Sequence, residues 1–507
     1  MSIDRIYRLV FEGKIDEMVK EVEKLSGVER IEGELMKAYW LLEFRTSEVD
    51  DYIALANKVI NEHSDNLRLQ IIGRLHNLGG YWWTAEFFKG VTQLEGIEKQ
   101  FQKLDSLTRE NLRFYEIWFY HLKGTFYHAT GDYEKGFKEY FSGLALIDSD
   151  PVFPYTSFQA GTNLHIGNGY LTLGDYQKAT YHYQAAIDYS VDSGNSMSKG
   201  MALFNLAIIS SFRGDIKKSL DLHEECLSLY QKIKYQRGIA ENLNRVGLVY
   251  HYLGNHQKSI EYLELALLEA KKTGLIIFIA ITLTNLITVY SNLGESVKAK
   301  RYLIDLKKLH DHKDDYWLQS SFMQSSYMLS EAFVLKQTGR FKEQVEAQVK
   351  LKGIIAELKF PYYHRIQAML QLTDLLLLEL KTFGNEEIFQ EVERLINQVF
   401  EMAQEQNLLP IEIETSILKA KLSLINGDFT LSDNLLQDAL VLAVEKNLTF
   451  LQSRINNEQE KLQNELTKWI ELIDKNSSLK ERIEQSQIET YLKEAIQIQN
   501  LHSERVS

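Results

Sequence analysis

The chain has 507 residues, of which 45% are hydrophobic and 25% charged, with four prolines and one cysteine. This is far from a disordered composition, and a single cysteine excludes an intramolecular disulfide framework. The net charge of −13 argues against sequence-independent binding to phosphate backbones, so no nucleic acid is expected as a partner. The opening residues Met1 to Arg5 carry no apolar signal region behind a basic start, and a cytoplasmic location is expected.

In chain order, the first hundred residues are loosely patterned, with helices expected over Glu34 to Phe44 and Tyr52 to Ile60. The aromatic groups Tyr81-Trp82-Trp83 and Phe114-Tyr115-Trp118-Phe119-Tyr120 sit at helical spacing and read as core, with an exposed recognition surface as the alternative. A regular punctuation mark then sets in: Gly131-Asp132-Tyr133, Gly174-Asp175-Tyr176, Gly214-Asp215-Ile216, Gly254-Asn255-His256 and Gly294-Glu295-Ser296. The intervals are 43, 40, 40 and 40 residues. Weaker copies follow at Gly339-Arg340-Phe341, Gly384-Asn385-Glu386 and Gly427-Asp428-Phe429, and a first copy is read at Gly13-Lys14-Ile15. A fixed period between amphipathic helix-length stretches calls for a stacked helical array. The uncharged run from Thr273 to Asn292 is read as the first helix of a buried hairpin, because Thr282, Thr284, Asn285 and Thr288 interrupt it, and no membrane span is expected.

Each unit is read as helix A, a turn whose Gly takes a left-handed conformation, and helix B. Small residues (Gly124, Gly167, Ala207, Gly247) fall seven before the mark, and Tyr127, Tyr170, Tyr250 and Tyr290 fall four before it. The small residue is expected to let helices approach, with the Tyr filling the gap beside it. Pro151, Pro154, Pro361 and Pro410 all fall before or at the start of a predicted helix A. At the end of the chain, Arg454 to Asp474 is read as a capping helix, with Leu462, Leu466, Trp469 and Ile473 on one stripe. Lys475 to Ser478 is read as a break and Leu479 to Leu501 as a second helix. A coiled-coil or partner-binding helix, with possible self-association, is the alternative for this terminus.

This pattern resembles the tetratricopeptide repeat, most strongly from Phe114 to Leu306, and its forty-residue spacing is similar to Pins/LGN-type adaptors, kinesin light chains and Rap-type peptide receptors. The resemblance implies an all-α, right-handed superhelical solenoid of stacked antiparallel helix pairs, about eleven hairpins with C-terminal capping helices. Its expected divisions are 1–105 (divergent hairpins), 106–312 (well-matched units), 313–447 (divergent units) and 448–507 (cap and amphipathic tail).

Little in the sequence points to catalysis. The cluster His223-Glu224-Glu225-Cys226 offers metal-ligand types, but His223 and Cys226 hold the repeat positions of Tyr183/Ala186 and Leu263/Ala266 and so read as packing. His310 and His312, two apart, point to different sides of a helix. Phosphate-binding loops, zinc-protease motifs and nucleophile elbows do not occur, so no metal, cofactor or enzymatic activity is expected.

The resemblance places ligand contacts on the A helices that line the concave wall. Carried onto this chain, those positions are His121, Thr125 and His128; His165 and Asn168; Asn205, Ser211 and Phe212; Asn244, Arg245, His251 and Tyr252; and Asn285, Thr288, Ser291 and Asn292. The stripe is polar and amide-rich, and amides can both donate to and accept from a peptide backbone, which singles out Asn205 and Asn285. The expected function is a non-catalytic adaptor that binds a partner peptide or helix in this groove. A peptide-responsive switch similar to the Rap-type receptors is the alternative, and a cryptic enzyme a distant third. A tail helix folded back into the groove would make binding autoinhibited.

Overall fold

The computed structural model describes residues 5, 6, 9, 14–42, 48–84, 86–149, 155–274, 276–311 and 321–502. Among them there are 25 helices and no strand. The chain divides into two compact units, Met1–Leu206 with Lys232–Tyr235, and Ala207–Gln231 with Gln236–Ser507.

The glycine mark closes each A helix as its spacing predicts. Gly131, Gly174, Gly214, Gly254, Gly294, Gly339, Gly384 and Gly427 all have positive φ, between 63° and 87°, where only glycine is unstrained. The residue after the glycine starts helix B: the side chains of Asp132, Asp175, Asp215, Asn255 and Asp428 each accept the backbone N–H three residues on. One Gly-Asx pair therefore stops one helix and caps the next, which makes the turn short and the hairpin tight. The copy read at Gly13, with Pro151, Pro154 and His312, lies outside the described residues. Pro361 and Pro410 stand at helix starts, as N-cap and in the first turn.

In the first unit, helices Val49–Glu62, Leu67–Trp83, Phe87–Gln102, Arg113–Ala129, Tyr133–Asp148, Thr156–Thr172 and Tyr176–Ser193 pack in chain order, each on the next. The core is strongly aromatic. Trp118, Tyr115 and Phe119 are at most 5% exposed, and the Trp118 ring lies 4.8 Å from His76 and 5.4 Å from Tyr39. The core reading of this aromatic group therefore holds. An early helix spans Gly27–Leu41, longer at its start than the expected Glu34 to Phe44, because Gly27 with φ 57° begins it after Ser26; Phe44 lies outside the described residues.

The second unit repeats the same step through Gln236–Tyr252, His256–Thr273, Ile276–Asn292, Ser296–Asp311, Ser321–Lys336, Phe341–Ala356, Tyr362–Phe383, Glu386–Glu405, Leu409–Asn426, Phe429–Glu445 and Thr449–Asp474. A helices of successive hairpins also touch, as Ile276–Asn292 does with Gln236–Tyr252 and with Ser321–Lys336. Its two ends meet. The Thr449 hydroxyl donates to the Arg213 carbonyl at 3.1 Å, and Phe450 lies against Gly214, where an added Cβ would stand 2.2 Å from its side chain. The run from Thr273 to Asn292 forms Ile276–Asn292, buried on nearly every side, and no helix among the described residues is long and apolar enough to cross a membrane.

Two details differ from the sequence reading. The gap opened by the small A-helix residue is filled from helix B: a Cβ on Gly124 would stand 2.6 Å from the Tyr140 ring, one on Gly167 2.6 Å from Tyr183, and one on Gly247 2.7 Å from Leu263. The tyrosine four before the mark instead receives a lysine over its ring, in the pairs Lys135/Tyr127, Lys178/Tyr170, Lys258/Tyr250 and Lys298/Tyr290, at 4.9–5.6 Å. The terminal segment is also two helices, Leu479–Ser486 and Ile488–His502, and not one. Gln487 adopts a left-handed conformation with φ 54°, and the Ser486 hydroxyl accepts the N–H of Ile488, capping the new helix.

Candidate partner-binding faces

Helix A of each hairpin carries the polar stripe, and in the first unit that stripe stays within reach of solvent. His121, His128, His165, Asn168 and Asn205 are half-buried, and Thr125 is buried. They form an internally bonded row. The Asn168 carbonyl accepts from the Tyr183 hydroxyl at 2.8 Å and from the Asn205 amide at 3.1 Å; His121 pairs with Thr162 at 3.1 Å; and Thr125 pairs with Tyr140 at 3.0 Å. The rings of His121 and His165 meet edge to face at 4.8 Å. Burial pushes the His165 imidazole down to about 4, and burial together with the neighbouring His165 pushes His121 well below its usual value. Both rings are neutral at pH 7 and act as hydrogen-bonding and stacking groups. His128 serves packing: its ring fits between Gly136 and Gly169, where a Cβ would stand 2.1 Å and 2.4 Å from it.

The second unit uses the same rows but covers them. Asn285 donates to the Asn244 carbonyl at 3.1 Å, and Asn292 donates to Nε2 of His251 at 3.1 Å, each pair 41 residues apart. With Nε2 accepting, His251 carries its proton on Nδ1, 3.3 Å from His256 Nδ1, and burial lowers its pKa to about 4. The Thr288 hydroxyl donates to the Thr284 carbonyl. Asn244, Arg245, His251, Asn285 and Thr288 are all under 9% exposed; Ser211 is half-buried, and Asn292 is exposed. The amides that the sequence singles out for a ligand each donate one bond to the A helix of the preceding repeat, Asn205 to Asn168 and Asn285 to Asn244.

Part of the A-helix wall is covered by the chain's own last helix. Ile488–His502 packs on the A helices Gln236–Tyr252, Tyr362–Phe383 and Leu409–Asn426, burying Ile488, Tyr491, Leu492, Ala495, Ile496, Ile498 and Leu501. Polar groups of the wall bond it along its length. Lys381 meets Glu489 at 2.7 Å, Gln367 donates to Asn500 at 2.9 Å, and Arg245 donates to the Leu501 carbonyl at 3.0 Å. Between them, Arg454 bridges Glu494 and the fully buried Glu414, while the Tyr491 hydroxyl donates to Glu458, which also pairs with Lys421 at 2.6 Å and Lys461 at 3.0 Å. Burial raises Glu414 to about 7, with Arg454 opposing the shift and Glu494 and Glu458 adding to it. An open cleft of about 460 Å³ runs beside these groups, lined by Arg454, Lys461, Thr490, Tyr491 and Glu494 among others. Sequence reasoning did not single out Glu414, Glu458 or Arg454. The available signal was Glu414 itself, an acid set between the apolar Ile413 and Ile417.

The cluster at His223 is packing, as its register indicates. His223 donates from Nδ1 to Asn242, which returns a bond to the His223 carbonyl at 2.7 Å, and Cys226 is fully buried. Among the described residues no group of three His, Cys, Asp or Glu side chains could hold a metal ion.

Antiparallel helix pairs stacked through A-to-A contacts, with an Asx-capped glycine turn in five of them, define a helical-hairpin repeat protein. The family described as Tetratricopeptide repeat matches residues 158–232 and again 240–273. Over these residues the chain carries tetratricopeptide repeats. No curated protein matches it in sequence at a significant level. Among solved structures it is similar to the apo form of the quorum sensor NprR from B. thuringiensis, with 14% identity over 74% of this chain and 99% of that one and a TM-score of 0.50. Further similar structures are a Rap protein complexed with competence and sporulation factor (14% identity, 78% and 99% covered, TM-score 0.48) and yeast Tom70 (12%, 92% and 99%, 0.39). At this identity the likeness to NprR shows the fold alone. The fold is one of protein-interaction scaffolds.

Proposed function

We propose that the chain is a non-catalytic scaffold that holds a peptide or helix of a partner protein against its A-helix faces. The observation that carries this reading is the seating of Ile488–His502 on three A helices of the second unit, where wall side chains bond both its side chains and its terminal carbonyl. In the first unit the half-exposed row of His121, His165, Asn168 and Asn205 offers the same chemistry to a partner, with neutral imidazoles and amides that suit a peptide backbone. The likeness to NprR supports a scaffold of this repeat type. The test is affinity capture from lysate with the wild-type chain and with a His165→Ala/Asn205→Ala variant of unchanged circular dichroism. Capture that the variant loses supports the first-unit face, and equal capture by both overturns that assignment.

A further inference from the structure

The last helix of the chain occupies a wall suited to a partner, and its polar attachment lies partly open to solvent. It follows a left-handed residue that is not glycine, Gln487 with φ 54°, as helices of the wall follow Lys234 and Asn407. Its polar burial is also incompletely matched: Gln499 is 1% exposed, yet its Oε1 has no hydrogen-bond partner. Its central bonds are ion pairs that border the open cleft, and the side chains of Glu494 and Lys461 are 40% and 53% exposed there. Partly exposed charge pairs of this kind contribute little to stability.

We propose that Ile488–His502 is a replaceable occupant, and that the partner of the second unit is an amphipathic helix presenting the same pattern. That pattern is two acids five residues apart, at the positions of Glu489 and Glu494, with an aromatic hydroxyl between them at Tyr491 and apolar residues at Leu492, Ala495, Ile496 and Ile498. Lys381 and Arg454 read the two acids, and Glu458 with Lys461 reads the hydroxyl. This deepens the scaffold reading and rests on it.

The test uses the full chain and a fluorescein-labelled peptide of residues 478–502, followed by anisotropy. A chain carrying Tyr491→Ala and Glu494→Lys in its own tail binds the peptide at least tenfold more tightly than the wild type does. The same peptide with Glu489→Lys and Glu494→Lys binds that chain at least tenfold more weakly. Should the tail variant fail to fold, Lys381→Glu serves instead, and that chain prefers the Glu489→Lys peptide to the native one. Equal binding by wild type and tail variant overturns the proposal. So does absence of binding to either, with amides of 488–502 exchanging as slowly as those of 409–426, and so does a concentration-dependent dimer in place of peptide binding. Capture of a partner that is sensitive to Asn205→Ala survives any of these failures, so the scaffold reading and the replaceable tail fail separately.

Discussion

Arg245 donates from Nη1 to the main-chain carbonyl of Leu501 at 3.0 Å, across 256 residues of sequence. The carbonyl belongs to the last turn of a helix, where backbone oxygens lack intrahelical donors and a cation complements the helix dipole. Arg245 is 5% exposed, so the bond is made away from water. Replacing it by Met keeps the stem and removes the charge. Urea unfolding of Arg245→Met should show a loss of about 1.5–3 kcal/mol, the usual worth of a hydrogen bond to a charged group. Hydrogen exchange in the last turn of Ile488–His502 should accelerate before the other helices respond.

Packing at the repeat glycines separates steric from conformational cost. A Cβ on Gly124 or Gly167 would stand 2.6 Å from the ring of Tyr140 or Tyr183, whereas one on Gly131 would meet nothing within 4 Å. Gly124→Ala and Gly167→Ala should each lose about 1–3 kcal/mol through overpacking. Gly131→Ala should lose about 1–2 kcal/mol from its positive φ alone. A Tyr140→Leu change should partly rescue Gly124→Ala and leave Gly131→Ala as it was, and urea midpoints of the doubles decide this.

Buried histidines make the chain acid-labile. Burial lowers His76 and His364 to about 3 and His223 and His251 to about 4, from about 6.5 in an unfolded chain. Between those values the unfolded state binds more protons than the folded one, so stability rises with pH. It is complete above about 6.5 and is lost as pH falls toward 4, by up to about 3 kcal/mol for each of His223 and His251. Thermal midpoints should drop steeply from pH 6.5 to 4.5, and His251→Gln should flatten the profile.

Glu414 works in the opposite direction. Its folded value of about 7 lies above the unfolded carboxylate value near 4.5, so the folded state binds the extra proton between them and stability falls as pH rises through that window. Glu414→Gln should therefore stabilise the chain by up to about 3 kcal/mol at pH 8 and have little effect at pH 4.5. Chemical unfolding at the two pH values checks the difference, which is insensitive to any packing change common to both.

Much of this architecture was legible because a repeat writes its rules locally. Gly131 needs φ 87° and Asp132 needs an oxygen three residues before an N–H, and both requirements lie within one turn of chain. The same period placed the small residues and the polar stripe on helix A. The fate of the stripe was not local. That Asn285 meets the Asn244 carbonyl at 3.1 Å depends on how closely successive A helices stack, which no local pattern encodes.

The sequence by itself determined the all-helical hairpins, their turns, the core role of Trp118 and the packing role of His223, since each follows from periodicity and the conformational freedom of single residues. Only the tertiary structure decided that Gln487 breaks the tail and that the resulting helix lies on walls hundreds of residues away, held by Arg245, Lys381 and Arg454. An amphipathic helix carries the pattern of the face it must bury but not the address of that face. The address is set by where the second unit brings its A helices together.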